Sequence, residues 1–122
     1  MSGVAAVALG GAAGAAGRYL ISLLPVRTAF PVLTFAVNLA GAVLIGFIAG
    51  ISDRRNLPAA WLLFWKTGVC GGFTTFSTFS LEALALFESG RYLTAGAYVV
   101  LSAVLCILGA ALGRFLAFRL PA

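Results

Sequence analysis

Histidine is absent from this chain of 122 residues, and only three residues are acidic. The commonest metal ligand and the commonest proton shuttle at neutral pH are therefore missing. No nucleophile–base pair and no ligand cluster for a transition metal can be assembled, so the sequence does not read as an enzyme. Charge of either sign is scarce. Charged residues make up 9% of the chain and hydrophobic ones 62%, where a soluble domain carries about a quarter charged residues. Such a chain would expose too much apolar surface in water and belongs in a bilayer. Alternation of polar and apolar residues is also lacking, and the apolar runs are too long for barrel strands, which excludes a β-barrel. Cysteine is limited to Cys70 and Cys106, both inside apolar runs, and nothing in the sequence supports a disulfide between them. A positively charged start is missing too, so "AAGAAG" is not read as a signal-peptide cleavage site.

What remains is a single all-α membrane domain over residues 1–122 with four predicted spans, at about 2–24, 31–51, 59–87 and 92–118. Each reaches the roughly 20 residues that cross about 30 Å of hydrocarbon. The connections "PVRTAF", "SDRRNLP" and "ESGRY" are short and carry turn chemistry. The net charge of +5 does not indicate nucleic acid, because the basic residues are scattered along membrane edges. Arg54, Arg55, Arg114 and Arg119, with Lys66 if it snorkels, fall on one side, and Arg18, Arg27 and Arg91 on the other. That bias is weak by the positive-inside rule, so insertion in both orientations and head-to-tail pairing are expected.

Small residues recur at four-residue spacing: Gly10 and Gly14, Ala13 and Gly17, Gly46 and Gly50, Gly109 and Gly113. In lipid this spacing lets helix backbones approach closely. The stretch "GVCGGFTTFSTFSLE", Gly68 to Glu82, breaks the apolar pattern. Gly71 and Gly72 each cost a helix about 1 kcal/mol against alanine. Thr74, Thr75 and Thr78 are β-branched and compete for backbone hydrogen bonds. A helix here is predicted to unwind for a turn and to resume near Phe79. Unwound backbone at membrane depth is tolerated only where protein buries it or a cavity is lined by it, and such breaks are where transport proteins hold ions.

Phe76 and Phe79 stand three apart and share a face. Their positive ring edges can border an anion's path without trapping the ion. Ser77, Thr78 and Ser80 add hydroxyl donors, and Asn38, alone in the second span, adds an amide that must face protein or water. These residues suit a neutral, donor-rich path for a small anion. They also suit a plain structural kink in a helix bundle.

The long stretch resembles the signature G-x-C-G-G-x-T-T-F-S-T-F-S-x-E of the Fluc (CrcB) fluoride channels, and "GRYL" and "VNLAGAVLIG" resemble that family's first two spans. The resemblance implies a dual-topology, antiparallel homodimer in the cell (inner or plasma) membrane, with the third helix broken near its centre and two fluoride pores. It implies that Asn38, Phe76 and Phe79 line the pore and that Ser77, Thr78, Tyr98 and Ser102 belong to a polar track. It further implies that the carbonyls of Gly71 and Thr74 hold a structural Na+ on the two-fold axis, and that Arg18 attracts anions at a vestibule. Where the track can continue with a further serine, this chain has Cys106. Lys66 has no counterpart in the pattern and is read as snorkelling to the interface.

A small multidrug-type antiporter also has four spans and this length, but it needs a membrane-embedded carboxylate for proton exchange. The first span has no acid, and Glu82 is the only acid clearly inside any span. An accessory subunit that transports nothing is the third reading. Glu82→Gln separates the first two in reconstituted vesicles: proton-coupled antiport would vanish, whereas ion-channel flux is expected to be largely retained.

Overall fold

The protein is described by a computed structural model covering residues 2–121. Four helices are long and apolar enough to cross a membrane: Gly3–Ser22, Val32–Arg54, Ala59–Glu88 and Tyr92–Phe118. The third has the lowest mean hydropathy of its apolar window, 1.2, because it carries the glycine and hydroxyl stretch. Here α1 is Gly3–Ser22 and α2 is Val32–Arg54. The third span divides into α3 (residues 59–73) and α4 (Phe76–Glu88), and α5 is Tyr92–Phe118.

Local sequence sets the ends of these helices. Ser2 caps α1 by accepting from the Ala5 N–H at 3.1 Å. Pro31 precedes α2 and Pro58 precedes α3, where a missing N–H costs nothing. α4 passes to α5 through Gly90, whose φ of +80° is open to glycine at little cost.

The helices pair in parallel. Along α1 and α3 the contacts climb in step: Gly10 meets Phe64 and Gly68, Gly14 meets Val69 and Phe73, and Gly11 meets Gly72. Along α2 and α5, Gly46 meets Ala110, Gly50 meets Arg114 and Ala117, and Gly113 meets Val43 and Phe47. A Cβ at Gly10, Gly14, Gly46 or Gly113 would overlap a neighbouring backbone carbonyl. The small-residue spacing is therefore used for backbone-to-backbone packing. Gly17 has only the Phe73 ring nearby, at 3.8 Å, so the Ala13–Gly17 pair is a looser contact.

Two features depart from the sequence reading. The break is only two residues long, Thr74 and Thr75, and the helix resumes at Phe76, three positions before the expected Phe79. The cause is Thr75 itself, whose hydroxyl accepts from the Thr78 N–H and caps a new helix at once. The second departure is that Leu63–Cys70 is wound as a π-helix. That winding lies where Gly68 touches Gly10 backbone to backbone, and π-turns of this kind re-aim the residues that follow.

Replacing Gly113 by Val should push α2 and α5 apart and lower the melting temperature in detergent, at an overpacking cost of about 1–3 kcal/mol. Gly96→Ala, at a helical glycine with nothing within 4 Å, should leave the melting temperature unchanged or raise it. Equal behaviour of the two variants in a thermal scan would contradict the packing.

Candidate functional site

The break in the third span is the centre of the site. Thr74 and Thr75 are both extended, with φ/ψ of −87°/156° and −148°/115°. Leaving the helix frees backbone groups, and each finds an identifiable partner or none. The Thr75 N–H donates to Asn38 Oδ1 at 2.8 Å, and Asn38 Nδ2 donates to the Thr75 carbonyl at 3.2 Å. One amide thus replaces both missing ladder bonds of one residue. Arg18 Nε donates to the Gly72 carbonyl at 3.1 Å. The Thr74 N–H and its Oγ1 both donate to the Cys70 carbonyl, at 3.0 and 2.8 Å. Room for the Thr74 methyl is made by Gly41, where a Cβ would collide with it.

Three carbonyls, those of Gly71, Phe73 and Thr74, are left over. In an unbroken helix the Thr75 N–H would close onto Gly71 and the Thr78 N–H onto Thr74. These donors instead go to Asn38 Oδ1 and to Thr75 Oγ1. Among the described residues no donor reaches any of the three carbonyls. Gly71 is exposed on the outer side of α3, with nothing within 4 Å of where a Cβ would stand.

Beside the break lies a groove of about 640 Å³ between α2, the third span and α5. Asn38, Gly71, Thr74, Phe76, Phe79 and Ser102 all line it. Phe76 and Phe79 have ring centroids 5.4 Å apart, and Phe76 is 80% exposed. The Ser102 hydroxyl is buried and has no hydrogen-bond partner. Both cysteines, Cys70 and Cys106, line the same groove and are free thiols.

Other residues singled out from the sequence lie elsewhere. Tyr98 is fully buried behind Phe79, with centroids 4.9 Å apart, and its hydroxyl donates to Glu82 Oε1 at 3.1 Å. Ser77 and Thr78 follow the break at the start of α4 and do not border the groove. The Ser77 hydroxyl meets the Thr75 hydroxyl at 3.2 Å, and the Ser80 hydroxyl donates to the Phe76 carbonyl at 2.8 Å. The Ser80 hydroxyl thus serves its own helix, and the Ser77 hydroxyl is paired with that of Thr75 in the break.

Sequence reasoning missed the Tyr98–Glu82 bond, since the two residues lie on different helices and no spacing links them. It also missed a second cavity of about 510 Å³ at the far end of α4, lined by Thr28, Thr34, Glu82, Ser89 and Arg91 among others. Phe79, Tyr98 and Glu82 form a continuous chain of contacts from the groove to this cavity.

Comparison with known proteins adds a separate finding. The family profile described as "CrcB-like protein, Camphor Resistance (CrcB)" matches residues 5–114. A protein of Ruegeria sp. named "Fluoride-specific ion channel FluC" is 48% identical over 115 residues, covering 91% of this chain and 90% of that protein. A protein of the same name from Agrobacterium fabrum is 45% identical over 122 residues, covering 93% of this chain and 98% of that protein. One from Paramagnetospirillum magneticum is 43% identical over 116 residues, with 90% and 91% covered. With the profile spanning most of its length and relatives this similar over nearly all of it, the chain belongs to the CrcB family.

Proposed function

We propose that the protein is a passive fluoride channel that lets F− leave the cell across its cell (inner or plasma) membrane, and that it works as a homodimer of inverted copies. The observation that carries this reading is the placing of the break against the groove. Asn38, the break threonines, two phenylalanine rings and the hydroxyl of Ser102, unpartnered among the described residues, meet in one largely apolar space. The names of the relatives supply the ion. The proton-coupled antiporter finds no support, because Glu82 is held by the Tyr98 hydroxyl rather than standing free in the groove.

Fluoride is small and holds water tightly, so a path must replace its hydration with donors and still release it. The Asn38 Nδ2 group has two hydrogens and gives one to Thr75, so the second can serve an ion. The Ser102 hydroxyl offers another donor. Phe76 and Phe79 offer ring edges, which carry partial positive charge. None of these groups is a full charge, and weak sites in sequence favour passage over capture. Tyr98 and Glu82 lead on to the second cavity, where Arg91 can draw an anion. Arg18 keeps its terminal guanidinium nitrogens beyond the Nε that holds Gly72, and these can act at a vestibule.

A single chain leaves this arrangement unfinished. Freed carbonyls at membrane depth must be covered by protein or an ion, and Phe76 and Gly71 stand exposed. An inverted second copy packed on the groove would cover them. The chemistry of the donors suits Na+: Gly71 and Thr74 present carbonyl oxygens without donors, and a pair from each copy would give a hard cation an all-oxygen site. Bound there, the ion would neutralise the four dipoles and join the copies.

Vesicles containing only this protein should release fluoride, as read by an electrode. Phe79→Ile should cut that flux at least about tenfold, equivalent to roughly 1.4 kcal/mol on the barrier, with the melting temperature little changed. Full flux in this variant would remove the groove as the pore. Asn38→Asp should reduce flux and stability together, since the lost donor and the carboxylate set against the Thr75 carbonyl cost about 1–3 kcal/mol. Exchange of Na+ for a bulky organic cation should lower the melting temperature of the assembled protein, and an unchanged value would dismiss the sodium site. A tag on the C-terminus should be found on both sides of the membrane; a one-sided result would exclude inverted pairing.

A further inference from the structure

The ends of α2 and α5 form a cationic cluster that the fluoride path does not use. Arg54 Nη1 donates to the carbonyls of Ala117 and Leu120 at 2.7 and 2.6 Å, and Arg55 Nη2 donates to the Pro121 carbonyl at 2.7 Å. The Arg54 and Arg114 guanidinium groups both lie against the Phe118 ring, at 5.7 and 5.4 Å, and Arg119 lies 4.7 Å from the centre of Phe115. These groups are thus fixed in place by carbonyls and rings. Among the described residues only one carboxylate answers them: Asp53, paired with Arg114 at 2.6 Å. Among the described residues, no acidic side chain pairs with Arg54, Arg55 or Arg119.

Arginines gathered at one end of the bundle suit an anion that sits among them. Where the cluster lies indicates which anion. Trp61 and Trp65 start the third span just after the loop that follows Arg55, and paired tryptophans mark the headgroup level of a membrane. Below the cluster, Leu112, Phe115, Leu116 and Phe118 are 44–52% exposed on α5, an apolar strip suited to an acyl chain. An anion that brings both a phosphodiester and acyl chains matches charge and strip together. Guanidinium groups bind the two free phosphate oxygens in a planar fork, and basic groups between helices at the membrane edge are suited to anionic headgroups.

We propose that this cluster is a site for one anionic phospholipid, with the headgroup phosphate held by Arg55 and Arg119 beside Arg54 and an acyl chain lying along Leu112, Phe115 and Leu116. The site depends on neither the pore nor the pairing of copies.

The test uses the full chain in neutral detergent. Phosphatidylglycerol should raise the melting temperature of the wild type by several degrees more than phosphatidylcholine does, and native mass spectrometry should show one retained phosphatidylglycerol per chain. In the double variant Arg55→Gln, Arg119→Gln the extra rise should fall by more than half and the retained lipid should be lost. Arg119→Gln alone removes no hydrogen bond that the structure shows, so it should fold and display a partial loss. Inorganic phosphate at millimolar concentration should produce no shift. An equal rise in wild type and Arg119→Gln would overturn the proposal, as would a full rise with inorganic phosphate, which would mark a free-anion site.

Discussion

Everything at the centre of this molecule depends on the side chain of Asn38 reaching the backbone of Thr75. A helix can lose its ladder inside a membrane only if something else satisfies the freed N–H and C=O groups, because no water is there to do so. Asn38 does this for both groups of one residue, at 2.8 and 3.2 Å. A primary amide carries its acceptor oxygen and donor nitrogen side by side, so it can meet a backbone N–H and C=O together. With Thr75 held in this way, its hydroxyl is free to cap α4, and α4 starts at a fixed angle with Phe76 on the outer side. The position of the two rings, the free carbonyls at the break and the opening of the groove all follow from that one pairing.

Reaching Thr75 requires α2 to lie close to the third span, and that closeness comes from glycine. Gly41 leaves space for Thr74. Gly10, Gly14, Gly68 and Gly72 bring α1 and α3 to backbone contact, while Gly46 and Gly113 do the same for α2 and α5. In lipid there is little hydrophobic gain from pressing helices together, so short-range packing between small residues must hold the bundle. The break is thus seated between two parallel helix pairs, each made tight by its own glycines.

Composition and spacing made much of this legible. The four spans, the small-residue faces and the break were all readable from glycine content, apolar run length and the hydroxyl-rich stretch. The use of each hydroxyl was not. Ser80 turns to the Phe76 carbonyl of its own helix and Thr75 to the Thr78 N–H, because a hydroxyl finds a backbone group one turn away before any more distant partner. Such local bonds close the break in two residues instead of a full turn. Ser102 differs: its buried hydroxyl borders the groove from α5 and has no hydrogen-bond partner among the described residues. The π-helix at Leu63–Cys70 and the Tyr98–Glu82 bond were beyond sequence reasoning, since both depend on how neighbouring helices meet.

The Tyr98–Glu82 bond bears on how a carboxylate can sit near the proposed route of an anion. A free carboxylate beside a narrow path would repel fluoride strongly, the more so in a medium of low dielectric constant. Here one carboxylate oxygen accepts the Tyr98 hydroxyl, and Glu82 borders the second cavity rather than the groove. Arg91 lines that same cavity, so an acidic and a basic side chain both border it. Among the described residues the groove is bordered by no acidic or basic side chain, only by neutral polar groups, rings and aliphatic side chains. On the proposed route, keeping acidic and basic side chains out of the groove would let an anion pass without being held there.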